Sequence, residues 1–153
     1  MPPEAPIAAL AKLPAIVWLK TNAYAYPTLE WLHLIAIATV FGTILIVDVR
    51  ILGTMRALDA RTLARNVLPW TLGSFALALL TGMTMFIARA ADFISNPFFI
   101  AKLCLLFAAG ANAGALHARG PLDESNRLTR EKAALSILVW ISVIFCGRWI
   151  AYV

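Results

Sequence analysis

Four long runs of apolar residues, separated by short polar connections, make up most of this chain. The first run has no charged side chain between Trp31 and Val47. An α-helix rises about 1.5 Å per residue, so residues 28–52 are long enough to cross a hydrocarbon core about 30 Å thick. The same pattern recurs three times and predicts further spans. We expect transmembrane helices at about 28–52, 67–88, 97–117 and 133–153. The sequence therefore predicts an all-α integral membrane protein.

The predicted spans and their short connections form one transmembrane domain over residues 26–153. Short loops between consecutive helices favour antiparallel neighbours, so the expected architecture is an antiparallel four-helix bundle. Residues 1–25 are apolar too, but prolines interrupt them and Lys12 and Lys20 add positive charge. That mixture is typical of an amphipathic helix that lies in the membrane interface.

The overall composition agrees with a membrane protein and excludes several other classes. Of the 153 residues, 61% are hydrophobic and 14% are charged, whereas a soluble domain carries about a quarter charged residues. The formal net charge is +5, but the basic residues gather in the connections between apolar runs. The predicted partner is therefore the lipid bilayer and not nucleic acid.

The position of the arginines predicts how the chain is oriented. Basic residues concentrate after the first and the third run and are sparse between the second and the third: Arg50, Arg56, Arg61 and Arg65, then Arg119, Arg127 and Arg130. Cytoplasmic loops carry such an excess of arginine and lysine. The sequence therefore predicts a bacterial inner-membrane protein with both termini in the periplasm.

Ionisable and soft side chains inside the spans are the candidates for chemistry, because placing them in hydrocarbon is costly. Depth along the predicted helices separates them into two levels. The level near the periplasm contains Glu30, His33, Met83, Met85, Lys102, Cys104, Cys146 and Arg148. The level near the cytoplasm contains Asp48, Arg50, Ser74, Asn112 and His117.

The periplasmic level suits a haem. His33 would be its axial ligand, and Met83 or Met85 is a candidate second ligand. Lys102 and Arg148 would be cations for the propionates. The same residues also suit a soft metal such as copper(I). A purely structural interpretation stays open, in which His33 is a hydrogen-bonded residue near a helix end, the methionines fill space and Lys102 extends toward the interface.

The two histidines do not fit one iron within a single subunit. The first and third spans run in the same direction, and His33 lies near the start of one while His117 lies near the end of the other. At 1.5 Å per residue, their depths differ by roughly 20–25 Å. His117 instead lies at the depth of Asp48. We predict that these two residues form a structural polar pair, with a proton relay as the alternative.

Residues spread along the chain resemble an uncharacterised family of bacterial four-span membrane proteins. They are Tyr26-Pro27, Glu30, His33, Gly42, Asp48-Val49-Arg50, Asn96-Pro97, Lys102, Asn112-Ala113 and His117. The spacing of His33 and Gly42, with the pair Lys102-Leu103, is more distantly similar to the copper-resistance D family and to haem-containing protoporphyrinogen oxidases. The distant similarity implies a haem or metal with His33 as ligand and Lys102 beside it.

We therefore predict a small inner-membrane redox protein. It would bind one b-type haem near the periplasmic side and pass electrons to or from quinone or a periplasmic partner. The alternative is a non-enzymatic membrane component that handles a copper-like metal ion or scaffolds a neighbouring complex. Gly110 and Gly114 form a small-residue step that favours close helix packing, either inside the bundle or in a homo-oligomer.

Overall fold

The computed structural model describes residues 9, 11–117 and 126–152, and these contain helices and no strand. The helices, numbered here in chain order, are α1 (Pro14–Thr21), α2 (Ala25–Ile51), α3 (Ala60–Ala88), α4 (Ala90–Ile94), α5 (Pro97–His117) and α6 (Arg127–Trp149). Helices α2, α3, α5 and α6 are each long and apolar enough to cross a membrane. The protein is a multi-pass membrane protein, as the hydropathy pattern predicts.

Two of the spanning helices begin earlier in the chain than the apolar runs predict, at Ala60 and Arg127. Each follows a residue whose side chain caps the helix. The Asp59 carboxylate accepts the Thr62 N–H at 2.7 Å, which also holds the pKa of this exposed carboxyl below its ordinary value. Asn126 accepts the Leu128 N–H at 2.9 Å. Capping satisfies N–H groups that the first turn leaves free, so the helices extend past the hydrocarbon into polar sequence.

Helix α2 is the central helix of the bundle. It packs along α3 on one side and along α6 on another, and α6 in turn packs along α5. Small residues of α2 and α6 are almost fully buried: Ala36 of α2 is 1% exposed and Ala133 of α6 is 0% exposed. A polar contact also joins α2 to α3, because the Thr71 hydroxyl donates to Thr43 Oγ1 at 2.8 Å. Polar groups on α2 therefore have neighbours on two sides.

The turn from α3 to α5 is fixed by aromatic stacking and by one asparagine. The rings of Phe86, Phe93 and Phe99 stack with centroids 5.2–6.5 Å apart and join α3, α4 and α5. Asn96 Oδ1 accepts the Phe99 N–H at 3.2 Å, and Asn96 Nδ2 donates to the Ile150 carbonyl at 3.2 Å. This turn is thereby tied to the end of α6.

Helix α1 packs against α2 and α3. Its buried residues Ile16 and Leu19 form a small apolar cluster with Ala88 at the end of α3, and Leu29 of α2 packs against the same cluster. Residues 1–8 and 10 of the predicted interfacial segment lie outside the described part of the chain. The observed contacts hold α1 near the end of the bundle at which α2 begins.

The glycine pair of α5 makes no close helix contact within the part of the chain that the structure describes. A Cβ atom at Gly110 or at Gly114 would have no described atom within 4 Å. This face of α5 therefore has no close neighbour among the described residues. Its use in a homo-oligomer stays a prediction.

Candidate functional site

His33 of α2 is held by a hydrogen bond to α3. Its Nδ1 atom lies 2.7 Å from the hydroxyl oxygen of Thr81. The same hydroxyl donates to the Leu77 carbonyl at 2.7 Å. A hydroxyl has one proton to donate, so while Thr81 donates to Leu77 it accepts the hydrogen bond from His33 Nδ1–H. In the neutral imidazole this tautomer leaves Nε2 with its lone pair, which is the form that binds metals.

A glycine of α3 allows the His33 ring to lie against the helix backbone. A Cβ atom at Gly82 would be 3.0 Å from Cε1 of His33 and 3.8 Å from its Nε2. That distance to Cε1 is shorter than an ordinary contact between carbon atoms. Thr81 and Gly82 therefore fix the ring together, one by a hydrogen bond and the other by leaving room for it.

Lys102 of α5 interacts electrostatically with the imidazole of His33. Its ammonium group reaches toward α6, where a Cβ at Gly147 would be 3.3 Å from Nζ. The neighbouring Cys146 is buried and interacts electrostatically with the lysine. Within the described ranges, the lysine has no hydrogen bond or ion pair. The chain thus holds an amino group among helices without a counter-charge from the described residues.

These contacts and electrostatic interactions involve residues of all four spanning helices. We call the group the histidine–lysine cluster and define it as His33, Thr81, Gly82, Lys102, Cys146 and Gly147. The sequence identified the histidine and the lysine as candidates for one site. It missed Thr81 and the two glycines, although a polar residue followed by glycine inside an apolar helix, as in Thr81-Gly82, was a detectable signal.

The other proposed ligand and propionate residues lie outside this cluster. Met83 is 51% exposed on the surface of α3. Met85 is half-buried and lies one turn after Thr81, on the same face of α3. Arg148 is exposed and donates to the Tyr152 hydroxyl at 2.6 Å. Of these three, Met85 is on the helix face nearest to the histidine.

The second candidate group lies near the other end of α2. Asp48 is 3% exposed, and its Oδ2 atom has no hydrogen-bond partner among the residues described. Ser136 of α6 is the polar side chain that faces the carboxylate. His117 is the last residue of α5, and its side chain lies outside the described part of the structure. The Asp48–His117 pair therefore stays a prediction, and Ser136 is a neighbour that sequence reasoning missed.

A double-mutant cycle tests that pair. If Asp48 and His117 interact, Asp48→Asn and His117→Gln should each lower thermal stability in detergent, and the double variant should lose less than the sum. Each single change leaves a buried partner uncompensated, and we expect a coupling of about 1 kcal/mol or more. Ser136→Ala serves as the control for the observed neighbour. Additive losses would show that the two residues do not interact.

The described residues contain no group of three or more His, Cys, Asp or Glu side chains that could hold a metal ion. A bare ion at the histidine–lysine cluster would thus have to draw on other donors.

Comparison with known proteins identifies a family and nothing beyond it. The model of a family described as "Family of unknown function (DUF6644)" matches residues 15–153. No curated protein and no solved structure gives a significant match. The matched region begins in α1 and includes every residue of the histidine–lysine cluster. The prediction of an uncharacterised family is confirmed, and the chain belongs to DUF6644, a family of unknown function.

Proposed function

We propose that this protein is a small inner-membrane redox protein that binds one b-type haem through His33. It would pass electrons to or from quinone or a periplasmic partner. The observation that carries the proposal is the hydrogen bond between His33 Nδ1 and Thr81. A histidine that binds a metal usually donates its second ring N–H to a fixed acceptor, which sets the tautomer and the ring orientation. Thr81 is such an acceptor.

The residues of the cluster fit a haem better than a bare metal ion. Haem iron needs only one or two ligands from the protein, whereas a bare ion needs several. The described residues gather no three His, Cys, Asp or Glu side chains. Lys102 would neutralise a propionate, and Met85 is the better placed of the two candidate second ligands. When bound, the haem would supply one-electron chemistry, and the chain would hold it and exclude water.

The more distant similarities support the same assignment. The copper-resistance D family and the haem-containing protoporphyrinogen oxidases resemble this chain at His33 and at Lys102-Leu103. The charge of Lys102 acts on the His33 imidazole, which supports a shared site. Gly42, the third part of that similarity, has no described atom within 4 Å of a Cβ built on it. The support therefore comes from the histidine and the lysine.

A visible spectrum of the purified protein tests the proposal. The chain would be produced with a haem precursor supplied, purified in a mild detergent, and measured before and after reduction. We expect a Soret band that shifts on reduction and about one haem per chain. Colourless protein that retains copper would support the metal-handling alternative. Colourless protein without metal would leave the scaffolding alternative, and either result would overturn the haem proposal.

For the architecture in the membrane, we propose an antiparallel four-helix bundle with α1 in the interface. His33 near the start of α2 contacts Thr81 near the end of α3. Lys102 near the start of α5 lies against Gly147 near the end of α6. Both contacts join helices of opposite direction. The arginines after the first and third spans support an inner-membrane location with both termini in the periplasm.

Cysteine labelling tests this orientation. In a variant with Cys104 and Cys146 replaced, single cysteines at the exposed positions Ser95 and Ala57 would be treated with a membrane-impermeant maleimide. In cells whose outer membrane has been permeabilised, we expect labelling at position 95 and not at 57. Lysed cells should be labelled at both positions. The reverse pattern in permeabilised cells would overturn the orientation.

A further inference from the structure

A positively charged cleft lies where α2 ends and the chain turns toward α3. Its volume is about 290 Å³, and it is open on one side. The residues that line it are Arg50, Ile51, Gly53, Arg56 and Arg130. Three of the five are arginines, and they come from α2, from the connection after it and from α6. Nothing in the proposed redox function uses this cleft, which lies at the opposite end of α2 from His33.

Backbone carbonyl groups at the end of α2 and in the connection that follows it hold the three arginines in place. The contacts are Arg50 Nε with the Leu58 carbonyl, Arg56 Nε with Gly53 at 3.2 Å, and Arg130 Nη2 with Leu52 at 2.9 Å. The carboxyl end of a helix carries partial negative charge and attracts cations. These contacts explain why arginines gather here, and they fix the guanidinium groups before any ligand arrives.

The guanidinium groups of Arg56 and Arg130 keep more donors and more charge than these contacts use. A guanidinium has five N–H donors, and Arg56 and Arg130 have no ion pair within the part of the chain that is described. Arg50 is 5% exposed, and it interacts electrostatically with Asp59. Asp59, however, is exposed and already accepts the Thr62 N–H. Among the described residues, Arg56 and Arg130 therefore bring unpaired positive charge to the cleft.

The shape of the backbone lets two of the arginines converge. Gly53 has φ 111°, a backbone conformation that residues with a side chain rarely adopt. The Nη2 atoms of Arg56 and Arg130 each lie 3.9 Å from the position that a Cβ on this glycine would take. Two guanidinium groups therefore approach the same point of the cleft from different elements, which is the arrangement that multidentate oxyanion binding requires.

We propose that this cleft binds a phosphate group. Arginine pairs with phosphate oxygens in bidentate geometry, and the two converging guanidinium groups of Arg56 and Arg130 match an anion with several equivalent oxygens better than a single carboxylate. The cleft lies at the end of a spanning helix, which is the level of lipid headgroups. The phosphate comes either from an anionic lipid headgroup or from a soluble phosphate compound, and both share the chemistry recognised here.

The test measures binding of phosphate to the full chain in a neutral detergent. One arm uses inorganic phosphate at constant ionic strength, with thermal stability as the readout. The other uses micelles with phosphatidylglycerol or, as the neutral lipid, phosphatidylcholine, with retained lipid measured by native mass spectrometry. The variants are Arg56→Gln and Arg130→Gln. Arg61→Gln is the matched control, because Arg61 is exposed on the first turn of α3 and does not line the cleft.

We expect saturable binding to the wild type in at least one arm. Each cleft variant should weaken it about tenfold, the effect of losing one charge-assisted hydrogen bond, while Arg61→Gln should change it less than about twofold. Binding in the lipid arm alone assigns a headgroup, and binding of inorganic phosphate assigns a soluble source. Arg56 is exposed on a connection, so Arg56→Gln tests the cleft even where Arg130→Gln disturbs the α2–α6 contact. No binding in either arm, or equal loss in Arg61→Gln, would overturn the proposal.

Discussion

Replacing His33 with Ala is expected to abolish the haem spectrum of the purified protein. With Nδ1 of His33 hydrogen-bonded to Thr81, Nε2 is the ring nitrogen left to ligate iron, and Ala has no atom that can do so. Replacing His117 with Ala should leave the Soret band largely intact, because the two histidines lie near opposite ends of their helices. The measurement is the ratio of Soret to protein absorbance for each variant. Equal loss in both would contradict a single-ligand site within one subunit.

A more conservative change separates ligation from positioning. Thr81→Val keeps the shape of the side chain and removes the acceptor of the His33 Nδ1 proton. Loss of such an outer hydrogen bond typically costs 10–100-fold in metal affinity. We therefore expect Thr81→Val to retain a haem spectrum with weakened haem retention and a shifted reduction potential. An unchanged potential and affinity would show that Thr81 only packs against the ring.

Replacing Gly82 with Val should displace the His33 ring and reduce both stability and haem occupancy. Even a Cβ at this position would lie 3.0 Å from Cε1 of the ring, and Val adds two further methyl groups. The ring cannot move away without losing its hydrogen bond to Thr81. Extra carbon atoms in a tight site typically cost about 1–3 kcal/mol. Thermal stability in detergent and haem content per chain are the two measurements.

Gly73→Val is the matched control for this prediction. Gly73 lies on the same helix, and a Cβ there would have no described atom within 4 Å. Helix propensity changes equally in the two variants, and Val is slightly better than Gly in a helix. The control should therefore be neutral or mildly stabilising. Equal effects at both positions would show that the contact with His33 does not limit side-chain size.

The membrane architecture was predictable from the sequence alone. In lipid, an apolar run of sufficient length must be a helix, because every backbone polar group needs a partner inside the segment. The four runs therefore predicted four spanning helices. The position of a residue along its predicted helix then predicted the depth of that residue in the membrane. Depth alone placed His33 and Lys102 at the same level. The helix starts at Ala60 and Arg127 were missed because they lie in polar sequence, where a capping side chain determines the first residue of the helix.

Rotation about each helix axis was decided only by the tertiary structure. A helix in hydrocarbon is apolar on every side, so periodicity does not reveal which face meets a neighbour. Met83 has the predicted depth but is exposed, whereas Thr81 and Gly82 face the histidine.

The sequence also does not predict which helices are neighbours in the bundle. This arrangement explains the remaining contacts. Because α2 lies between α3 and α6, Asp48 faces Ser136, and Arg130 reaches the end of α2 to complete the cleft. Between apolar helices in lipid, association depends on local packing and polar contacts more than on the hydrophobic effect. The sequence therefore determined which residues are buried in the membrane and how deeply, and the packing of the helices decided which of them meet.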